Sequence, residues 1–227
     1  MSAKNRAQAA KLHDIYPTPV RLVRAAFDLL FQRHGAQLAE VQHFVEPGAG
    51  FGPFCRMASL YLPARCKLTG VELHPPAEQE RFAYSLAHLH YLDWYPAEPG
   101  CGLIATNPPF TLAEEFIRHS QTVLAPDGLM LYLMRMGVLG SKRRRELWGE
   151  VNLREVWTVR PRPSFQKEGG SDASEYAFFL MDGQRQHCSE DVRMLWLDWD
   201  GEEEGAAFEE SELLLRDWGD PSDINSE

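Results

Sequence analysis

The sequence predicts an α/β fold: a mostly parallel sheet with an antiparallel edge strand and helices on both faces. Two observations carry this. Short apolar or β-branched runs alternate with segments suited to helices, the pattern of strands joined by helical crossovers. The last two runs lack a helical crossover between them, which places an antiparallel pair at one edge.

Taken in order, residues 19–34 (PVRLVRAAFDLLFQRH) carry Val20, Val23, Phe27, Leu30 and Phe31 at helical spacing. Pro19 suits a helix start and Gly35 its end. Strands follow at VQHFVEPGAG, KLTGVELHPP, LHYLDW and GLIATNPP, each closing on an acid, a glycine or a proline. Segments 53–61, 76–88 and 112–124 suit the helices between them. GLMLYLMRM (128–136) reads as a buried strand and KRRRELWGEV (142–151) as a basic helix. EVWTVRP and EYAFFLMD read as the final strand pair, joined through the polar loop RPSFQKEGGSDAS.

The chain has 227 residues and 44% hydrophobic content, enough for one sizeable core. The expected division is a domain over 1–189 and an acidic extension over 190–227; the competing reading is that residues 190–218 are structural and complete the sheet edge, with only their charges solvated. The net charge of −10 is unevenly spread: residues 190–227 hold 14 acids and 2 bases, leaving the body at +2. The acidic whole therefore does not exclude a nucleic-acid partner for the body. No apolar run spans a bilayer, the start lacks a signal-peptide core, and the four cysteines are scattered. These point to a cytoplasmic protein with reduced thiols and no membrane partner. The eight histidines show no HExxH spacing, and no metal is expected.

In parallel α/β sheets, ligands sit beyond the carboxyl ends of the strands. Here those ends carry Glu46-Pro47-Gly48, Glu72, Asp93 and Asn107-Pro108-Pro109-Phe110. In EPGAGFG (46–52), Gly48 and Gly50 let a ligand approach the backbone. Glu46 suits a cation, Glu72 suits ribose hydroxyls, and Asp93 suits an adenine amine. A ligand with a charged amine, a ribose and an adenine fits three successive strand ends, and S-adenosylmethionine has those parts.

With these motifs in place, the chain resembles the amino-methylating S-adenosylmethionine-dependent DNA methyltransferases of the N6-adenine subgroup. EPGAG resembles the family's first motif, VELHP its second, LDW its third and NPPF its catalytic fourth. YPTPVRLV (16–23) resembles the segment that holds the cofactor's methionine end, which assigns Tyr16, Thr18 and Pro19 there, with Asn107 beside them. RPSF (162–165) resembles the motif that gives the target base a second aromatic, which assigns Phe165 and, next to it, Arg162 to the substrate. The match covers about residues 13–182, in the order of gamma-like members.

The resemblance implies a Rossmann-like class I methyltransferase fold with a seven-stranded sheet. It implies methyl transfer from S-adenosylmethionine to the N6 amine of a flipped adenine, in DNA rather than RNA. Asn107 and Pro108 would accept the amine's hydrogens, the prolines would stiffen the loop, and Phe110 would stack the base. The family's usual target-recognition domain is replaced by an acidic segment, which leaves two expectations: relaxed sequence specificity, or a protein partner that supplies it. The runner-up substrates are adenine in RNA and a glutamine side chain. A non-enzymatic reading is a methyltransferase-fold interaction protein with a tail that mimics nucleic acid.

Overall fold

The structure is a computed structural model, and it describes residues 17–75, 84–97, 100–163, 165, 174–183 and 191–200. Its sheet is built from β1 (His43–Pro47), β2 (Lys67–Val71), β3 (Ser85–Ala87), β4 (Cys101–Thr106), β5 (Leu124–Arg135), β6 (Asn152–Arg160), β7 (Tyr176–Asp182) and β8 (Arg193–Asp198). The spatial order is β3-β2-β1-β4-β5-β7-β6-β8. All neighbours pair in parallel except β7, which runs antiparallel to both β5 and β6. The helices are α1 (Val20–Leu38), α2 (Pro53–Tyr61), α3 (Ala113–Val123) and α4 (Arg145–Glu150).

Alternation along the strands sends side chains to two cores. Leu129, Leu131 and Leu133 of β5 and Phe178 of β7 join Val23, Phe27 and Leu30 of α1 and Phe54 and Met57 of α2. Met130, Tyr132 and Met134, with Phe179, join Phe116 and Ile117 of α3 and Leu147 of α4. Each face of the sheet thus buries a full set of apolar side chains, each contributing roughly 1.5–3 kcal/mol.

Four expectations need correction. The sheet has eight strands, and the eighth arises in the segment expected to lie outside the domain. Leu195 and Leu197 pack into the first core, and Trp199 is buried with its indole N–H on the Pro161 carbonyl at 2.7 Å. Apolar residues at alternate positions override the acidic composition around them. Second, the antiparallel strand β7 lies inside the sheet, because β6 and β8 continue beyond it. Third, the strand expected at LHYLDW lies earlier, at Ser85–Ala87, inside the segment expected to be helical. Asp93 instead ends a 3-10 turn, Tyr91–Asp93, which the His90 ring caps by accepting from the Leu92 N–H at 3.2 Å. Fourth, the expected basic helix divides into a 3-10 turn, Lys142–Arg144, and the short α4. Also, α1 runs through Gly35 to Leu38, with non-helical angles at His34 (φ −132°).

A buried carboxylate ties α1 to β6. Glu155 is 4% exposed and receives both Nε and Nη2 of Arg33, at 2.8 and 2.6 Å. The Trp157 indole N–H donates to it at 2.8 Å, and His34 Nε2 lies 3.5 Å away. Burial pushes this carboxyl up, but hydrogen bonds from His34, Arg33 and Trp157 outweigh burial and hold it well below the usual carboxylate range.

Candidate active site at the carboxyl rim of the sheet

Glu46, in β1, is 2% exposed, and its carboxylate accepts from the backbone N–H groups of Phe54 (3.2 Å) and Cys55 (2.7 Å) in the first turn of α2. It satisfies two helix N-terminal donors that would otherwise be buried and unpaired. Burial raises its pKa to about 8, against the lowering effect of those two N–H bonds. The residue expected to face a cation at the rim is therefore committed beneath the glycine turn.

That turn has left-handed backbone at Gly48, Gly50 and Gly52, with φ of +61°, +51° and +70°. Two positions show why glycine is needed. A Cβ at Gly52 would overlap the Tyr84 hydroxyl, so the start of α2 and Tyr84 close on each other only without a side chain. At Gly50 a Cβ would meet no atom within 4 Å, so only the backbone angle restricts the residue, and the turn presents bare backbone. Glu72, directly after β2, anchors this turn: its Oε2 accepts from the Gly50 N–H at 3.0 Å and its Oε1 from the His74 N–H at 2.9 Å. A carboxylate has about four lone-pair positions, so two remain for other donors. Asp93 is exposed at the end of its 3-10 turn.

The fourth motif follows β4. The Thr106 hydroxyl donates to the Pro47 carbonyl at 2.5 Å, which ties the end of β4 to the end of β1. A Cβ on Gly48 would stand 3.8 Å from the Pro109 ring, so the glycine turn and the proline turn lie side by side. The Pro109 carbonyl accepts from the Leu112 N–H at 2.8 Å, which turns the chain into α3. Asn107 Nδ2 donates to the Thr18 hydroxyl at 3.1 Å. Its Oδ1 is buried and has no hydrogen-bond partner among the described residues. A buried carbonyl acceptor without a donor is costly, by roughly 1–3 kcal/mol, and here it sits on a loop stiffened by two prolines.

Thr18 thus serves Asn107 rather than capping α1; Pro19 is the N-cap residue and accepts from the Val23 N–H through its carbonyl at 3.1 Å. Tyr16 lies outside the described residues, as does most of the loop 162–174. Phe165 is buried at 5% exposure, edge-on to Tyr176 at 4.8 Å. Arg162 is exposed and 3.4 Å from Glu175. Arg160 is held by both oxygens of Asp198 at 2.7 Å and lies 4.4 Å from the Trp196 ring centroid. Arg21 pairs with Asp200 at 2.7 Å.

Two residues here escaped the sequence reading. Phe110 meets Tyr176 at 5.9 Å between ring centroids, and the Arg135 guanidinium lies 4.7 Å from the Phe110 centroid. The available signal was that both lie in runs expected to be strands of one sheet, Arg135 in GLMLYLMRM and Tyr176 in EYAFFLMD. Among the described residues, no group of three or more His, Cys, Asp or Glu could hold a metal ion, and no helix is long and apolar enough to cross a membrane.

No family model and no curated protein matches the chain. Among solved structures, it is similar to the methyltransferase subunit of a type I restriction-modification system from Streptococcus thermophilus: TM-score 0.61, 16% identity, over 80% of this chain and 47% of that one. It is similar to the M protein of the type I restriction enzyme EcoKI: TM-score 0.59, 19% identity, over 86% and 51%. A protein named as a candidate class I S-adenosylmethionine-dependent methyltransferase from Listeria monocytogenes aligns with TM-score 0.60 and 12% identity, over 86% and 72%. The chain spans about half the length of the two type I subunits. At these identities the likeness is one of fold, the class I methyltransferase fold.

Proposed function

We propose that the protein transfers a methyl group from S-adenosylmethionine to the exocyclic N6 amine of a flipped adenine in DNA. The observation that carries this is the buried, unpartnered Asn107 Oδ1 on a double-proline turn, beside the half-exposed ring of Phe110. An adenine amine is a poor nucleophile because its lone pair is delocalised into the ring. Acceptors aimed at its hydrogens shift the nitrogen toward tetrahedral geometry and stabilise the positive charge that grows as the new N–C bond forms. Asn107 Oδ1 and the Pro108 carbonyl are those acceptors. Thr18 holds the other end of the Asn107 amide, so the oxygen is aimed before substrate arrives. Phe110 offers a flat face for the base.

The residues fit the cofactor. Glu72 has lone pairs left for ribose hydroxyls, Gly50 presents open backbone, and Asp93 is exposed for the adenine amine. Glu46 acts from beneath, by holding the start of α2 and the glycine turn in place. When bound, S-adenosylmethionine supplies the methyl group on a sulfonium leaving group. Glu72→Ala is expected to weaken cofactor affinity by more than about tenfold, since hydroxyl bonds to a carboxylate are worth over 1.4 kcal/mol. Calorimetry giving the same affinity for Glu72→Ala and wild type would remove Glu72 from the cofactor site.

Incubation with labelled cofactor and DNA, RNA or protein, followed by nucleoside analysis, tests the substrate. N6-methyladenine in DNA is expected. Label confined to RNA would move the substrate to the runner-up, and label on glutamine would do the same for protein. Sole production of 5-methylcytosine would refute the chemistry, because that reaction needs a Pro-Cys nucleophile and no cysteine here follows a proline.

The acidic segment opposes nucleic-acid binding in this proposal. Truncation after Gly201 keeps Asp198 and Asp200 on their arginines and removes ten carboxylates. The shortened chain should bind duplex DNA more tightly at low salt, with the gap closing as salt rises. Equal affinity at every salt concentration would exclude electrostatic opposition.

A further inference from the structure

We propose that Arg135 is a positioning residue that sets the plane of Phe110 for the incoming base. This rests on the reading that Phe110 stacks the target adenine. Arg135 ends β5 on the same rim as Asn107, and its backbone partner across the ladder is Tyr176, the first residue of β7. Its Nε donates to the Tyr176 hydroxyl at 3.2 Å, and its guanidinium carbon lies 4.7 Å from the Phe110 centroid and 5.9 Å from that of Tyr176.

The order of constraint runs outward from the core. Tyr176 is fully buried and braced edge-on by Phe165. Strand register and the hydroxyl bond fix Arg135 to Tyr176. Phe110 stands on a turn, outside any strand, so the ladder does not set its ring plane. Among the described residues, the aromatic and cationic surfaces on it are Tyr176, tilted at 42°, and the Arg135 guanidinium. A guanidinium is planar and weakly hydrated, so it stacks on an aromatic face as an ammonium does not. Orientation before binding removes a rotamer cost that the base would otherwise have to meet. The effect falls on nucleic acid rather than cofactor, because the glycine turn and Glu72 follow β1 and β2, on the other side of β4.

The test compares wild type, Arg135→Ala, Arg135→Lys, Phe110→Ala and the Arg135→Ala/Phe110→Ala double variant, with kcat and KM for DNA measured at saturating cofactor. Arg135→Ala should lower kcat/KM for DNA about tenfold, the scale of a partly desolvated cation–ring contact plus a hydrogen bond, while cofactor affinity by calorimetry stays within about twofold. Arg135→Lys should fall between Arg135→Ala and wild type. In the Phe110→Ala background, Arg135→Ala should have no further effect, since Arg135 acts through that ring. Three results would each overturn the assignment: unchanged kcat/KM in Arg135→Ala, an equal loss in both backgrounds, or a parallel loss of cofactor affinity. If Arg135→Ala does not fold, Arg135→Lys decides, and wild-type kcat/KM in that variant overturns the assignment. A wild type that methylates no DNA overturns the underlying reading, and this one with it, before any variant is compared.

Discussion

Asn107→Ala should slow methyl transfer by roughly two to three orders of magnitude, the scale for losing one preorganised partner of transition-state charge. Cofactor affinity should change by no more than about twofold, because the oxygen acts on the amine. The size of the effect follows from the environment of Oδ1. A buried acceptor without a donor has no water to reorganise and no competing bond to break. The alanine variant also frees the Thr18 hydroxyl, which receives Asn107 Nδ2 at 3.1 Å. Thr18→Val therefore serves as the control: it should cost far less, since it loosens the amide without removing the acceptor. Single-turnover rates at saturating cofactor and DNA read the effect directly. If Asn107→Ala keeps most of the wild-type rate, or loses rate only through cofactor affinity, the acceptor mechanism is wrong.

Arg33→Ala should destabilise the fold by about 3 kcal/mol, within the range for breaking a buried ion pair by removing one partner. The cost is large because Glu155 stays behind almost fully buried, keeping Trp157 and His34 but losing its bidentate cation. The pH dependence has a definite sign. The Glu155 carboxyl is held below its ordinary range in the fold, so its contribution is fully present above its unfolded pKa of about 4.3 and is lost as pH falls below that. Urea unfolding of wild type and Arg33→Ala at pH 7 and pH 4 should show the gap between them narrowing at acid pH. A gap below about 1 kcal/mol at pH 7 would demote the pair to the energy of a surface contact.

The sheet and its rim were legible because both follow local rules. β1, β2 and β4 end next to Glu46, Glu72 and Asn107, where apolar runs give way to an acid, a glycine or a proline. β8 was obscured by composition, since six residues of strand pattern lie in a segment dominated by carboxylates, and only Trp196 and Trp199 pointed to a sheet edge there. The third strand was displaced because LHYLDW has strand-like residues, but His90 caps a turn there. The inward commitment of Glu46 could not be read from the string, since an acid at a strand end looks the same whether it faces a ligand or the next helix. Arg33 with Glu155, and Arg135 with Phe110 and Tyr176, are joined only by tertiary packing, and no local spacing announces them.

β8 runs parallel to β6, so it delivers the chain to the rim that carries Asn107. Thr18, just before α1, touches Asn107, and Arg21, in the first turn of α1, holds Asp200. Asp200 is thus joined, through Arg21 and the start of α1, to the segment that touches Asn107. On the proposed reading, the ten carboxylates that follow Asp200 oppose DNA as part of the same molecule, so dilution does not relieve their competition.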